Sequence, residues 1–260
     1  MPLILKLLLV PSLIALVTLA GRRWGPGVAG WLSAFPIVSG PILLAIALEQ
    51  GGDFAAVAAA NTLLAVLAIL AFSVAYARIA ARAGVLASLG VALLTWGLAV
   101  AGIRGLGPAL PLWLAFAAVA AALLAAPRLI GAPPAPAVAN AEARPARDLP
   151  WRMLAGAVLT VAVTQAAATL GPALSGLFAM FPVMSTVLVG FSHRASGAGF
   201  AVTLLRGMVN GYYAFAVFCL VLALLLPHRA PGPGFVVATM CALLVQLGTR
   251  RLLQSGAARR

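Results

Sequence analysis

The sequence predicts an all-α integral membrane protein of about nine transmembrane helices, arranged as two inverted four-helix repeats plus a linking helix. Three observations lead to this fold class. Hydrophobic residues make up 64% of the 260 positions and charged residues only 8%, whereas water-soluble domains carry about 25% charged residues. Apolar stretches of roughly 20 residues, the length that crosses a bilayer, recur along the chain. A proline-containing motif also occurs at equivalent places in the two halves.

Nine apolar segments are long enough to cross a membrane. They are residues 3–20, 26–48, 54–81, 85–102, 108–127, 151–169, 172–192, 199–226 and 234–252. A stretch rich in proline and alanine between the fifth and sixth segments predicts a linker exposed to water. The predicted organisation is a first repeat at 1–102, a linking transmembrane helix at 103–130, a cytoplasmic linker at 131–150 and a second repeat at 151–260.

The basic residues orient the predicted helices. Seventeen Lys and Arg against four Asp and Glu give a net charge of +13. Because these residues lie mainly between apolar segments, they indicate loop charge and not nucleic-acid binding. Nine crossings leave Lys6, Arg104 and Arg229 on one side and place Arg206 inside a segment. The other side receives Arg22, Arg23, Arg78, Arg82, Arg128, Arg144, Arg147, Arg152, Arg194, Arg250, Arg251, Arg259 and Arg260. The positive-inside rule therefore predicts an external N-terminus and a cytoplasmic C-terminus in a bacterial inner membrane.

An internal repeat relates the two halves at an offset of 146 residues. It pairs "GPGVAGWLSAFPIVS" at 25–39 with "GPALSGLFAMFPVMS" at 171–185, and nine of 32 positions are identical between 24–55 and 170–201. The same offset pairs the first predicted helix with the sixth, the third with the eighth and the fourth with the ninth. An odd number of helices between partners reverses their direction, which is the arrangement typical of secondary transporters with inverted repeats.

The repeat places a proline near the middle of two predicted spans. Pro36 lies ten residues after Pro26, about 15 Å along a helix, and Pro182 occupies the same place in the second half. Each proline should free a backbone carbonyl four residues earlier, that of Leu32 or Phe178. A freed carbonyl at this depth needs protein, a hydroxyl or water as its partner.

The paired breaks predict a central substrate site, and a plain packing kink is the alternative at each one. Interrupted helices at matched positions are a good sequence indicator of a transporter site. The predicted site residues are Phe35, Pro36, Ser39, Phe181, Pro182, Ser185, Arg206 and Asn210. Arg206 would supply positive charge for an anion, or its side chain would instead extend to the membrane interface.

The polar residues do not favour an enzyme. No predicted span contains Asp or Glu, and His193 and His228 lie toward opposite faces. Because no base, nucleophile and orienting group converge, no catalytic residue is predicted. The two cysteines, Cys219 and Cys241, have no metal-ligand spacing, so neither a metal site nor a cofactor is predicted.

The second half resembles the small GlpM-like inner-membrane proteins. The resemblance rests on "SGLFAMFPVMSTVLVGFSH" followed by "LLRGMVNGYY". The matching residues are Gly176, Leu177, Phe181, Pro182, His193, Leu205, Arg206 and Gly211. The first half keeps Gly30, Phe35 and Pro36 but has Ala47 and Ala60 where His193 and Arg206 stand. The resemblance implies a duplicated and fused small membrane protein, and it implies no substrate.

These observations predict a transporter or flippase for a small or lipid-linked, anionic substrate. Its partners would be the lipid bilayer and that substrate, and a homodimer is one assembly left open. The alternative is a scaffold or assembly subunit for envelope polymer synthesis, which transports nothing and in which the prolines only shape helix packing.

Overall fold

The computed structural model describes residues 3–37, 39–105, 110–134, 148–169 and 181–257, and these form helices joined by short turns. The helices are α1 (Leu3–Trp24), α2 (Pro26–Ser33), α3 (Ser39–Gln50), α4 (Gly52–Ala80), α5 (Val85–Gly105), α6 (Leu112–Ile130), α7 (Leu149–Thr169), α8 (Val183–Leu225) and α9 (Pro231–Ala257). The described part of the chain contains no strand, which confirms the all-helical prediction.

Five of the described helices are long and apolar enough to cross a membrane. They are α4, α5, α6, α8 and the Pro231–Thr249 part of α9. Large apolar side chains cover the outer surface, and Leu86, the most exposed of them, is 85% exposed. A soluble monomer rarely exposes apolar surface on this scale. The chain is therefore a membrane-embedded helical protein.

The tryptophans divide between the interior and the helix ends. Trp24, Trp113 and Trp151 are each at least 60% exposed and lie in the last turn of α1 and the first turns of α6 and α7. Exposed tryptophan at helix ends is typical of the aromatic belts at membrane–water interfaces. Trp31 and Trp96, by contrast, are buried.

Helices α4 and α8 form the centre of the bundle. Their inward faces bury Leu63, Phe72 and Tyr76 on α4 and Leu205 and Phe218 on α8. Helix α2 packs closely on α8, where the backbones meet at glycines. A Cβ atom added to Gly30 would lie 2.7 Å from the backbone nitrogen of Met208, and one added to Gly211 would lie 2.6 Å from Cβ of Ala34. Small residues that bring backbones this close commonly form helix interfaces in membranes.

Several predicted boundaries differ from those in the structure. The segment predicted at 26–48 is divided into α2 and α3, because the Pro36 region is not helical. Helix α5 continues to Gly105, beyond the predicted end at 102, and α7 begins at Leu149, inside the predicted linker. Residues 135–147 of that linker and 172–180 of the seventh predicted span lie outside the described residues.

Single glycines with positive φ lie between neighbouring helices. Gly25 (φ 88°) lies between α1 and α2, and Gly51 (φ 90°) between α3 and α4, and each pair of helices packs together. The amide of Gly51 donates to Ala47, while its carbonyl accepts from Ala55, so both helical ladders stay paired. Gly197 (φ 84°) interrupts α8 with the same backbone conformation, and divides it at the boundary predicted between the seventh and eighth spans. Positive φ of this kind favours glycine.

Candidate functional site

The first interruption is a short non-helical segment between α2 and α3. The amide of Phe35 donates to the Leu32 carbonyl at 3.2 Å, and the amide of Ile37 donates to the Phe35 carbonyl at 2.7 Å. The helix resumes when the amide of Gly40 donates to the Pro36 carbonyl at 2.8 Å. The backbone hydrogen bonds around Phe35 thus span two or three residues instead of four, before α3 begins at Ser39.

The described side of the second predicted break has the same backbone bonds 146 residues later. The amide of Val183 donates to the Phe181 carbonyl at 2.9 Å, and the amide of Thr186 donates to the Pro182 carbonyl at 2.9 Å. Phe35 and Phe181 therefore occupy equivalent turns, as do Pro36 and Pro182. Gly176, Leu177 and the Phe178 carbonyl, which come just before this break in the sequence, lie outside the described residues.

The carbonyl that obtains a new partner at the first break is not the one expected. The Leu32 carbonyl accepts from Phe35, whereas the Trp31 carbonyl accepts from Nε2 of Gln246 at 2.9 Å. Because the amide of Phe35 bonds three residues back, the Trp31 carbonyl loses its usual donor four residues ahead. The Trp31 indole also donates to the Thr249 hydroxyl at 3.1 Å. Helix α9 therefore supplies the polar partners of the first break.

At the second break, Ser185 and Phe181 contact different neighbours. The Ser185 hydroxyl is buried, 3.5 Å from the Tyr212 hydroxyl and 3.7 Å from the Met208 sulfur. The Phe181 ring meets the Trp96 ring edge to face, with centroids 5.2 Å apart. The second break is thus lined by α5 on one side and, on the other, by the part of α8 that follows Gly197.

Both breaks lie against the same stretch of α8. Gly211 faces Trp31 and Ala34 of α2 near the first break, while Met208 and Tyr212 face Ser185 at the second. Successive helix residues are turned by about 100°, so the two breaks contact adjacent faces of α8. Residues 208–212 of α8 therefore contact both predicted breaks.

Buried polar atoms beside the breaks have no partner among the described residues. Near the first break this holds for Oε1 of Gln246, and near the second for Nε1 of Trp96 and the Thr186 hydroxyl. Buried polar groups in folded proteins are nearly always hydrogen-bonded to protein or to water. These atoms are therefore available to water or to a polar ligand.

Arg206 is on α8, and its side chain extends toward the end of α6. Its Nη1 donates to the Gly131 carbonyl, just beyond α6, and the residue is half-buried. Asn210, one turn further along α8, is also half-buried. The structure does not bring these two residues into contact with Ser39 or Ser185.

A cluster of charged residues joins the two halves of the chain at one end of the bundle. Arg152 is buried, and its Nη2 lies 2.7 Å from Oδ2 of Asp148 while its Nη1 donates to the Ser192 hydroxyl at 3.1 Å. Arg22 also pairs with Asp148. Close by in the chain, Nδ1 of His193 lies 2.8 Å from the Tyr76 hydroxyl.

These contacts bring together the ends of α1 and α4, the start of α7 and the part of α8 before Gly197. Arg78 adds the end of α6 by donating to the Leu129 carbonyl at 2.6 Å. We call this part of the molecule the basic end, because Arg22, Arg78, Arg152 and Arg194 lie there. It comprises the helix ends that the sequence assigned to one side of the membrane.

Several of these residues were not predicted from the sequence. Gln246 lies in a mainly apolar segment, and nothing in that segment shows that it reaches Trp31. Trp96 and Tyr212 lie in apolar helices, and nothing in the sequence distinguishes them from other buried aromatic residues. Arg152 was counted as loop charge on the cytoplasmic side, and the structure shows that it is buried against Asp148, one turn earlier in the sequence.

The described residues contain no group of three His, Cys, Asp or Glu side chains that could hold a metal ion. The sequence matches no protein-family model, no curated protein and no solved structure. The resemblance to GlpM-like proteins thus stays a prediction.

Proposed function

We propose that this protein is a membrane transporter or flippase built from two inverted repeats, with its substrate site at the paired helix breaks. The observation that carries the proposal is the equivalence of the breaks. The bond from residue 37 to residue 35 and that from 40 to 36 recur at 183 to 181 and at 186 to 182. Discontinuous helices at matched places of two repeats typically form substrate sites in secondary transporters.

The helix contacts support a twofold relation between the two halves, because contacts made in one half recur in the other. Under the 146-residue offset α1 corresponds to α7, α4 to the later part of α8, and α5 to α9. Helices α1 and α7 contact each other, as do α4 and α8. The contact between α4 and α5 recurs between α8 and α9, and that between α5 and α8 recurs between α9 and α3. A pseudo-twofold axis in the membrane plane would produce this pattern.

The chemistry beside the breaks favours a polar or anionic substrate. Unpartnered polar atoms of Gln246, Trp96 and Thr186 are buried there, and Arg206, whose guanidinium donates to the Gly131 carbonyl just beyond α6, is the charge that the sequence predicts for the site. Arginine is the side chain that best binds carboxylate and phosphate in two places. The basic end would face the cytoplasm of a bacterial inner membrane, as the positive-inside rule requires.

Cysteine accessibility tests this proposal without knowledge of the substrate. In a background in which Cys219 and Cys241 are replaced by alanine, Ser39→Cys and Ser185→Cys should react with a water-soluble methanethiosulfonate in membrane vesicles. Transport requires each break to open to water in some conformation. Leu222→Cys is the control and should not react, because Leu222 lies in the core with no exposed surface.

If Ser39→Cys and Ser185→Cys are as unreactive as Leu222→Cys in vesicles of both orientations, the breaks are packing features. That result would refute the transport proposal and favour a scaffold whose prolines only set helix directions.

A further inference from the structure

A cleft of about 420 Å³ opens between α5, α7 and the part of α8 that precedes Gly197. This volume is within the range of about 300–1,000 Å³ found for ligand pockets. Every lining residue is apolar except Thr186 and Arg194. The walls also include Leu86, which is 85% exposed, and Val158, which is 58% exposed. The cleft is therefore open on the side where lipid tails lie.

The polar group at the mouth of the cleft is Arg194. It is exposed at the basic end, eight residues after Thr186, and this spacing corresponds to about 12 Å along the helix. The cleft thus runs from the interface into the hydrocarbon layer with a guanidinium at its outer edge. An apolar channel with one terminal cation matches an acyl chain that carries an anionic headgroup.

The charge of Arg194 is not neutralised by the described part of the protein. Arg194 has no ion-pair or hydrogen-bond partner among the described residues. The described carboxylate at this end, Asp148, is already paired with Arg22 and Arg152. Arg152 also stacks on Phe191 in the cleft wall, 5.6 Å from the ring centroid, but its donors point to Asp148 and Ser192. Arg194 is therefore left to bind an external anion.

We propose that this cleft binds an anionic phospholipid, with one acyl chain between α5 and α7 and the phosphate on Arg194. The choice of leaflet rests on the proposed orientation. With the basic end in the cytoplasm, the cleft opens to the cytoplasmic leaflet, and the anionic lipids of that leaflet attract basic groups at its surface. The binding itself does not require transport. The repeat position of Arg194 in the first half is Leu48, so the opposite end has no matching cation.

Lipid titration of the purified, delipidated full chain tests this site by native mass spectrometry. The probes are phosphatidylglycerol and phosphatidylcholine with identical acyl chains. The wild-type protein should bind phosphatidylglycerol more tightly, and Arg194→Gln should weaken that binding about fivefold, the effect expected of one basic residue near the membrane surface. The control is Arg128→Gln, which removes an exposed charge at the end of α6, outside the cleft, and should have no effect.

A second pair of variants tests the apolar part of the site. Ala162→Phe adds a ring to the cleft wall and should weaken both lipids, whereas Ala118→Phe adds the same ring to the exposed surface of α6 and should not. Equal phosphatidylglycerol binding by Arg194→Gln and Arg128→Gln would overturn the headgroup assignment. Wild-type binding by Ala162→Phe would show only unspecific surface lipid. Displacement of phosphatidylglycerol by millimolar inorganic phosphate would point to a soluble anion instead. These outcomes are independent of cysteine accessibility at the breaks.

Discussion

Replacing Gly30 with alanine should force α2 away from α8, because the new Cβ atom would meet backbone that cannot rotate aside. It would lie 2.7 Å from the Met208 nitrogen and 3.0 Å from the Gly207 carbonyl carbon, and nearer still to the Leu204 carbonyl oxygen. Ordinary van der Waals contact begins at 3.4 Å, so the helices must separate by about 0.7 Å or more. A gap of 0.5–1 Å already removes about a quarter to a half of the attraction between packed atoms.

The expected loss of stability follows from two opposing terms. Overpacking a close contact costs about 1–3 kcal/mol, while alanine in place of glycine within a helix contributes up to about 1 kcal/mol. We therefore expect Gly30→Ala to lower the free energy of unfolding by roughly 1–2 kcal/mol. Reversible unfolding in mixed detergent micelles, titrated with dodecyl sulfate and followed by circular dichroism, measures this change.

Gly97→Ala is the matched control. Gly97 lies inside α5, and a Cβ atom there would meet nothing within 4 Å. This variant should therefore be as stable as the wild type or slightly more stable, because only the helix-propensity term remains. The difference between the two variants isolates the cost of packing at the interface between α2 and α8. Equal stability of Gly30→Ala and Gly97→Ala would refute the close approach of these helices.

Two further predictions concern orientation and charge. A fluorescent protein fused after Arg260 should fluoresce and an alkaline phosphatase there should be inactive, because the proposed orientation puts the C-terminus in the cytoplasm; the opposite result would reverse the orientation of the bundle. In the cysteine-free background, Asn210→Cys should react faster with an anionic methanethiosulfonate than with a cationic one, since Arg206 lies one turn away on the same helix face. Arg206→Gln should abolish this preference while Arg206→Lys keeps most of it, and a preference that survives in the Gln variant would exclude an anion-binding role for Arg206.

The helix breaks could be predicted because they depend on local covalent chemistry. Proline has no amide hydrogen, and its ring clashes with the preceding turn wherever it lies in a helix. Pro11 lies inside α1 without ending that helix, so it was the matched position of Pro36 and Pro182 in the repeat, and not proline alone, that predicted the breaks. Gly51 and Gly197 are also among the positions identical between the repeats, and their positive φ explains why glycine occurs at both. That conformation was not predicted, since a glycine in an apolar run also fits a helix interface.

The side-chain partners of the breaks could not be predicted because they depend on which helices meet. The bond from Gln246 to the Trp31 carbonyl spans 215 residues, and the ion pair of Arg22 with Asp148 spans 126. No spacing rule relates residues so far apart. The pair of Asp148 and Arg152 differs, because a separation of four residues places both side chains on one helix face. That ion pair was readable from the sequence, although the burial of Arg152 was not.

The two breaks have equivalent backbones but different polar partners, and this difference bears on the conformational balance of the proposed transporter. Each break contacts the last helix of the opposite half: α9 contacts the first through Gln246, and α5 contacts the second through Trp96. The repeat positions of these residues are Val100 and Ala242. An inverted conformation, in which the halves exchange roles, would therefore lack the Gln246 hydrogen bond.

We accordingly expect Gln246→Val to shift the balance away from the described conformation. Hydrogen bonds between helices in membranes contribute about 0.6 kcal/mol on average, which corresponds to roughly a threefold change in the ratio of two states. Ser185→Cys, which is buried in the described conformation and would take the half-buried place of Ser39 in the inverted one, should then react about threefold faster with a water-soluble methanethiosulfonate. Ser39→Cys, which would take the buried place of Ser185, should react no faster than before. Unchanged reactivity of Ser185→Cys would mean that the Gln246 hydrogen bond does not distinguish two conformations, because valine cannot donate to the Trp31 carbonyl.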